Sequence, residues 1–249
     1  MTLNPQGFDI LDLPALDDQA RASFGDLALD IYIPVKNRYR RFAQYRMSHH
    51  GGGWQFERLP HRAYVTYSKY NTVAGGIKRE YQPIITDFTG HIRLAAEAIP
   101  IDPGESWQIN VHQYRIFVDV NQELKGVIVP EGLHRDGHEH VFIGVYTRHN
   151  VTGAEMSLRP ADDKDTPFFI TTLQAGQGVV FADQRMWHYV TEIEPIDDRS
   201  VAYRDTVVVA FSRWSARWYG DDFDQLAIAE GRVAGDADPA QAQANPVQP

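Results

Sequence analysis

Hydrophobic residues in the second half of the chain come in short runs separated by turn-forming residues, a pattern typical of β-rich domains. The first of these runs spans residues 109–118. Further runs follow along the chain: Val141–Arg148, Ala154–Leu158, Phe168–Leu173, Val179–Ala182, Trp187–Ile193 and Thr206–Phe211. Gly, Asn, Asp and Pro residues stand between them. Short strands at this spacing indicate a β-sandwich or jelly roll.

The first half of the chain has a mixed pattern. Apolar residues between positions 11 and 20 have a roughly helical spacing, and an apolar face within 84–98 predicts a second helix. The runs 37–46 and 63–71 are rich in aromatic residues and predict strands. We interpret 37–46 as an exposed strand whose arginine stems lie on aromatic rings, and an anion-binding wall is the alternative.

Size and composition favour one large domain. The chain has 249 residues, of which 43% are hydrophobic, and this is ample for a single core. We expect one domain over residues 1–230, with a ligand-bearing β core at about 108–215. The segment 231–249 is rich in Ala, Gln, Asp and Pro and has almost no large apolar residue, which predicts a disordered tail.

Charge and cysteine content exclude several classes of function. The formal net charge is -9 and no basic block exceeds Arg40-Arg41, which argues against nucleic-acid or anionic-membrane partners. The chain has no cysteine, so disulfides, zinc fingers and thiol catalysis are excluded. No apolar run approaches the roughly 18 residues of a membrane span. The N-terminus lacks the features of a signal peptide, so we expect a cytoplasmic protein.

The segment 130–137, Pro-Glu-Gly-Leu-His-Arg-Asp-Gly, contains the clearest candidate chemistry. In an extended chain, residues i and i+2 point to the same side, so His134 and Asp136 can reach one metal ion. His188 follows with 51 residues between it and Asp136. Two histidines and one carboxylate form the ligand set of a mononuclear non-haem Fe(II) site. We therefore predict that His134, Asp136 and His188 are the metal ligands and the catalytic centre.

Three protein ligands on one face leave three coordination positions open, enough for a bidentate keto acid and O2. The co-substrate 2-oxoglutarate has a second carboxylate that needs a cation, and arginine matches it in a bidentate way. Arg204 lies 16 residues after His188 and precedes the apolar run 207–211. We predict that Arg204 binds 2-oxoglutarate. A surface arginine paired with Asp205 is the structural alternative, and Arg213 is the second candidate for the ligand role.

Several motifs together resemble one known family. They are Pro-Glu-Gly-x-His-Arg-Asp-Gly at 130–137, Asn-x-x-Gly-x-Glu at 150–155, Asp183 with His188, and Tyr-Arg-Asp at 203–205. In order and spacing they resemble the bacterial 2OG-Fe(II) dioxygenases that include L-isoleucine 4-hydroxylase, related free L-amino-acid hydroxylases, and a biofilm stress and motility protein. The resemblance implies a mainly β fold, a double-stranded β-helix of the jelly-roll or cupin-like type with a few flanking helices. It also implies Fe(II), 2-oxoglutarate and O2.

The resemblance further implies hydroxylation of an aliphatic C–H, with succinate and CO2 as co-products. The expected partner is a small molecule, most simply a free L-amino acid such as Ile, Leu or Met. Gln113, Arg115 and Arg135 are candidates for binding its carboxylate. Glu131 or Asp183 could receive its ammonium group, although a turn or a ligand-supporting role is favoured for both.

Two other functions stay open from the sequence. The same fold could serve as a non-catalytic sensor of 2-oxoglutarate or of an amino acid. A cupin-type metal enzyme is the nearest structural competitor, because His138-Glu139-His140 fits the opening of that metal motif. The cupin motif then needs a glutamate four or five residues on, where Gly144 and Val145 stand.

Overall fold

The computed structural model describes residues 3–119, 124–198 and 201–235. Its helices are α1 (Asp18–Ala22), α2 (Thr89–Ala98) and α3 (Asp221–Gly235). Its strands are β1 (Phe8–Asp12), β2 (Ala28–Leu29), β3 (Arg38–His50), β4 (Gly53–Arg58), β5 (Trp107–Val118), β6 (His140–His149), β7 (Val151–Gly153), β8 (Met156–Pro160), β9 (Phe169–Thr171), β10 (Gln177–Phe181), β11 (Met186–Val190), β12 (Ile193–Pro195) and β13 (Ala202–Arg213).

The strands form one large antiparallel sheet and two small ones. The large sheet has eight strands in the order β1-β10-β6-β13-β5-β3-β2, with β4 paired to β3. The small sheets are β11-β8-β9 and β12-β7. Residues of both small sheets share a hydrophobic core with the large sheet. The arrangement is mainly β, with one large antiparallel sheet and few helices, so the predicted fold class is confirmed.

The two faces of the large sheet pack against different layers. On β13, Val207, Val209 and Phe211 point into a core shared with helix α2. The intervening residues Thr206 and Val208 face the opposite side, toward the small sheets and the interior of the jelly roll. Because side chains alternate along a strand, this parity decides which polar residues can reach an internal site.

Three expectations for the first half of the chain need correction. Residues 63–71 do not form a strand, and within 62–79 the pairing is limited to a bridge between Tyr64 and Arg79. The helix predicted within 84–98 begins only at Thr89, and residues 84–88 are irregular. The apolar residues near position 11 belong to strand β1, so the first helix is confined to α1, which Asp17 caps.

Residues 62–79, the cover segment, are held by helix α3. Arg62 donates to Asp224 at 2.8 Å, and Lys69 pairs with Glu230 at 3.2 Å. The two backbones meet where Gly76 faces Gly231, since a Cβ atom on Gly231 would lie 2.8 Å from the Cα of Gly76. Glycine permits this close approach because it has no side chain. The helix therefore fastens an otherwise irregular segment to the domain.

Helix α3 continues to Gly235 and so extends into the predicted tail, which begins at residue 231. Residues 236–249 lie outside the described residues, so the tail and the domain boundary stay predictions. No described helix is long and apolar enough to cross a membrane. The cytoplasmic location also stays a prediction.

Candidate metal centre

The predicted ligand loop turns sharply at both ends. Gly132 and Gly137 have φ values of +73° and +85°, the left-handed region that favours glycine. Between them, the backbone of His134 pairs with that of His188, the central residue of β11, with N–O distances of 3.1 and 2.9 Å. The two imidazole rings lie 4.2 Å apart between centroids. A direct backbone pair thus brings together two residues that are far apart in sequence.

The three predicted ligands form one cluster. One potential ligand atom from each of His134, Asp136 and His188 lies within 4.8 Å of the others. The Nε2 atoms of His134 and His188 lie 3.5 and 3.8 Å from the carboxylate oxygens of Asp136. The Nδ1 atom of His134 lies 2.9 Å from the carbonyl oxygen of Gly132, so it can donate there and leave Nε2 free for a metal.

Asp183 supports this cluster from behind. Its carboxylate is fully buried and accepts from the backbone N–H groups of Asp136 at 3.1 Å and Gly137 at 2.8 Å. One of its oxygens also lies 3.6 Å from Nδ1 of His188. Asp183 is therefore engaged in holding the ligand loop and His188, the supporting role favoured over binding of an ammonium group.

The protonation behaviour of the cluster is that of a site built for a cation. Burial would lower the pKa of His134, but hydrogen bonding and the charge of Asp136 raise that pKa to about 9. Burial would raise the pKa of Asp136, yet the two histidines hold it below its usual value. Burial and the charge of His134 lower the pKa of His188 to about 3. Without a metal, His134 therefore carries a proton at neutral pH. Fe(II) would displace this proton, because its donors are a carboxylate and neutral imidazoles, and the cluster fits this metal.

Arg204 extends into the interior of the jelly roll from β13. Its side chain is buried, and its Nε atom has no hydrogen-bond partner. No ion pair with a carboxylate is found for it among the described residues, and Asp205 pairs with Arg115 instead. Burial and the nearby charge of Arg148 lower the pKa of Arg204 to about 9. An unpaired buried guanidinium fits the distal carboxylate of 2-oxoglutarate.

Arg213, the second candidate for that role, is on the other face of β13. Its side chain is 51% exposed and pairs with Glu139 at 3.2 Å and with Glu105 at 3.4 Å. It does not line the cavity that contains the metal cluster. Because side chains alternate along β13, the two arginines lie on opposite faces of the sheet, and Arg204 is the one that faces the site.

One cavity joins these groups. It has an empty volume of about 1010 Å³ including its open mouth, and it contains all three clustered ligands together with Arg204. Its apolar wall is formed by side chains from four strands and from the loop before the ligands: Ile116, Ile128, Val129, Ile143, Val190 and Val208. The cavity therefore places the metal cluster and Arg204 beside an apolar wall.

The predicted substrate residues lie elsewhere. Gln113 points away from the cavity and donates to Ser23 at 2.7 Å, and Arg115 on the same face of β5 is paired with Asp205. Arg135 reaches the carbonyl oxygen of Ala161 and stacks over Trp187. None of the three lines the cavity, so this placement does not support the predicted substrate contacts. Side chains alternate along β5, so His112 and Tyr114 face the cavity while Gln113 and Arg115 face the opposite side.

Other cationic residues were missed as site residues. The sequence favours an exposed strand for Arg38 and Arg40, but both are buried and line the cavity together with Arg79. The spacing of Arg38 and Arg40 at i and i+2 was the available signal, because it places them on one face of β3. No comparable spacing in the sequence points to Arg79, because it lies in an irregular segment where side-chain direction does not follow a simple period.

Comparisons with known proteins agree with this architecture. The family described as 2OG-Fe dioxygenase matches residues 21–210. A bsmA homolog from Methylobium petroleophilum is 27% identical, with a TM-score of 0.70 over 84% of this chain and 89% of that chain.

Two more distant structures share the fold. The protein IDO from Bacillus thuringiensis is 18% identical, with a TM-score of 0.63 over 84% of this chain and 91% of that chain. The Fe(II)/(alpha)ketoglutarate-dependent dioxygenase TqaL is 12% identical, with a TM-score of 0.52 over 83% of this chain and 82% of that chain. No curated protein sequence matches significantly. The family match spans most of the chain, which therefore belongs to the 2OG-Fe dioxygenases, enzymes that use Fe(II), 2-oxoglutarate and O2.

Proposed function

We propose that this dioxygenase hydroxylates an aliphatic C–H of a free L-amino acid of the Ile, Leu or Met type. His134, Asp136 and His188 would hold the iron, and Arg204 would bind 2-oxoglutarate. The observation that carries the proposal is the shared cavity, in which the clustered ligands, an unpaired buried arginine and an aliphatic wall face one another. The motif resemblance to free L-amino-acid hydroxylases supports the choice of substrate class.

The protein's own groups have three tasks in this reaction. The imidazoles and the carboxylate present three donors on one side, so the other side stays open for the reactants. When bound, iron and 2-oxoglutarate supply the oxidation, in which O2 gives one oxygen atom to succinate and one to the substrate. The aliphatic wall orients the substrate C–H and excludes water from the reacting atoms.

The charge at Arg204 suits a doubly negative co-substrate. Arg148 lies directly opposite Arg204 on the neighbouring strand β6. Its Nη2 atom donates to the carbonyl oxygen of Gly153 at 2.9 Å, and its Nη1 atom has no hydrogen-bond partner among the described residues. Two cations side by side on a sheet repel each other, which favours binding of an anion between or beside them. The second carboxylate of 2-oxoglutarate meets this need, and a neutral ligand would not.

A succinate-release screen tests the proposal. Purified protein with Fe(II), 2-oxoglutarate and O2 should release succinate in the presence of at least one aliphatic L-amino acid, with a +16 product by mass spectrometry. His134→Ala should abolish both signals because it removes one metal donor. Turnover that persists with Zn(II) alone would contradict the dioxygenase mechanism. Binding of 2-oxoglutarate without turnover under any condition would indicate a non-catalytic sensor instead.

A further inference from the structure

Arg79 is a second buried arginine in the cavity, and it has no ion-pair partner within the described part of the chain. Its side chain is 1% exposed, and its Nε and Nη2 atoms have no hydrogen-bond partner. Its guanidinium lies over the ring of Tyr64, 4.5 Å from the centroid. No ion pair is found for it among the described residues. Buried charges are normally paired, so a guanidinium held unpaired at a cavity wall points to an anionic ligand.

The neighbouring arginines are already engaged, which makes Arg79 distinct. Arg38 and Arg40 share the single buried carboxylate of Asp30, at 2.9 and 3.3 Å. Arg40 also contacts the hydroxyl group of Tyr81 at 3.1 Å. One carboxylate cannot neutralise two guanidinium groups, and Arg79 adds a further positive charge. This side of the cavity therefore has an excess of positive charge that an anion would balance.

A carboxylate is available in the same cavity for the opposite charge. Glu131 lies three residues before His134 on the ligand loop and lines the cavity. Its Oε1 atom accepts a hydrogen bond from the side-chain amide of Asn71 at 2.8 Å. Asn71 belongs to the cover segment, as does Arg79, so the carboxylate touches the same element that carries the unpaired cation.

We propose that Arg79 binds the α-carboxylate of the substrate and that Glu131 binds its α-ammonium group. The inference rests on the proposed function, because Arg204 is then occupied by the co-substrate and Arg79 is left for the substrate. Recognition of both charges requires an amino acid that is free at both ends. N-acylated amino acids and amino-acid amides each lack one of these charges. A peptide does not have both charges on one α-carbon, so the site rejects all three classes.

Titration calorimetry tests this selectivity without relying on turnover. L-Isoleucine, L-leucine and L-methionine, with their N-acetyl and amide derivatives, are titrated into the full chain loaded with Mn(II) and 2-oxoglutarate. At least one free amino acid should bind, and each of its derivatives at least about 30-fold more weakly, because a buried charge then lacks its partner. The absence of binding by all three free amino acids, or equal binding of the derivatives, would overturn the proposal.

Variants assign the two charges. Arg79→Gln should weaken binding of the free amino acid by at least about 30-fold but should change little the already weak binding of its amide. Glu131→Gln should do the same, with the N-acetyl derivative as the insensitive ligand. Arg21→Gln is the matched control, because Arg21 is exposed on α1 and lies outside the cavity lining. An Arg79→Gln variant that binds the free amino acid as the wild type does would refute the assignment.

Two further measurements separate recognition from folding and from catalysis. The ligand-free Arg79→Gln variant should have a Tm equal to or above that of the wild type, because it removes an unpaired buried charge. A purely structural arginine would lower the Tm on removal. If free amino acids bind with the stated selectivity but no succinate forms, the proposed reaction fails and the recognition site stands. If succinate forms equally with blocked substrates, the recognition site fails and the reaction stands.

Discussion

Two arginines of strand β13 show how the position of a single residue decides between a ligand role and a surface role. Arg204 lies on the inward face of the strand and is buried, and among the described residues it has no carboxylate partner. Arg213 lies nine residues further along, on the opposite face of the strand, and pairs with two glutamates. Both residues are arginines at an end of the same strand, so chemistry alone does not distinguish them. The alternation of side chains does.

Replacement of Arg204 tests its assignment to the co-substrate. Arg204→Ala should raise the KM for 2-oxoglutarate by about 100-fold or more, because the loss of a charge-assisted bidentate contact costs several kcal/mol. Arg204→Lys should recover part of this loss, since it keeps the charge but not the fork. Affinity for the metal, measured by competition with a chelator, should stay within about twofold of the wild type.

Arg213→Ala is the control for this series and should leave the KM for 2-oxoglutarate unchanged. Its ion pairs are partly exposed and lie outside the cavity. An unchanged KM in Arg204→Ala, or a raised one in Arg213→Ala, would reverse the assignment of the two arginines.

The metal cluster could be predicted from the sequence, whereas the substrate role proposed for Arg79 could not. His134 and Asp136 are two residues apart between glycines, so local geometry alone directs both toward one point. Arg79 has no such local signal. It lines the cavity as part of the cover segment, which contacts a helix more than 140 residues later in the chain.

At the scale of elements, the hydrophobic pattern of the sequence predicts the strands of the β core but not the conformation of the cover segment. Residues 63–71 have the aromatic and β-branched composition of a strand, which is why they were expected to pair. In the structure their side chains pack on α3 and the residues before it, with Tyr67 5.2 Å from Trp218 and 5.4 Å from Phe223 between ring centroids. The packing of these rings against α3 and the residues before it therefore determines the conformation of 63–71, although the amino-acid composition of this segment favours a strand.

The contact between Gly76 and Gly231 tests how much the cover segment depends on α3. Gly231→Val should force the two backbones apart, because even a Cβ atom would lie 2.8 Å from the Cα of Gly76. Hydrogen exchange of residues 62–79 should become faster, and binding of the free amino acid should weaken by about 10-fold, while metal affinity stays unchanged.

The matched control is Gly90→Ala in helix α2. A Cβ atom there meets nothing within 4 Å, so the variant should be neutral or slightly more stable. Unaltered exchange of residues 62–79 in Gly231→Val would show that the cover segment holds its position without the helix.

At the scale of the whole molecule, histidines whose pKa is lowered on folding make stability depend on pH. Burial and the charge of Arg213 lower the pKa of His140 to about 4. The unfolded chain takes up this proton near pH 6.5 and the folded chain does not until about pH 4. Between these values the unfolded state binds more protons, so this contribution to stability falls as the pH falls.

His140→Gln isolates this effect. Between pH 6.5 and 5 the wild type should lose about 2 kcal/mol more unfolding free energy than the variant, since one pKa unit corresponds to about 1.4 kcal/mol. Urea unfolding of metal-free protein at each pH measures the difference. Equal losses in the two proteins would mean that His140 takes up its proton in the folded state as readily as in the unfolded chain.

The separation of the cover segment from the strands has a consequence for how this enzyme can change. The groups assigned to iron and 2-oxoglutarate lie on the β scaffold and its ligand loop, whereas Tyr64, Asn71 and Arg79 lie on an irregular segment held from outside by α3. Irregular segments tolerate substitution and length changes better than strands do. A directed-evolution library confined to residues 62–79 would therefore alter which molecule is oxidised and leave the oxidising machinery intact.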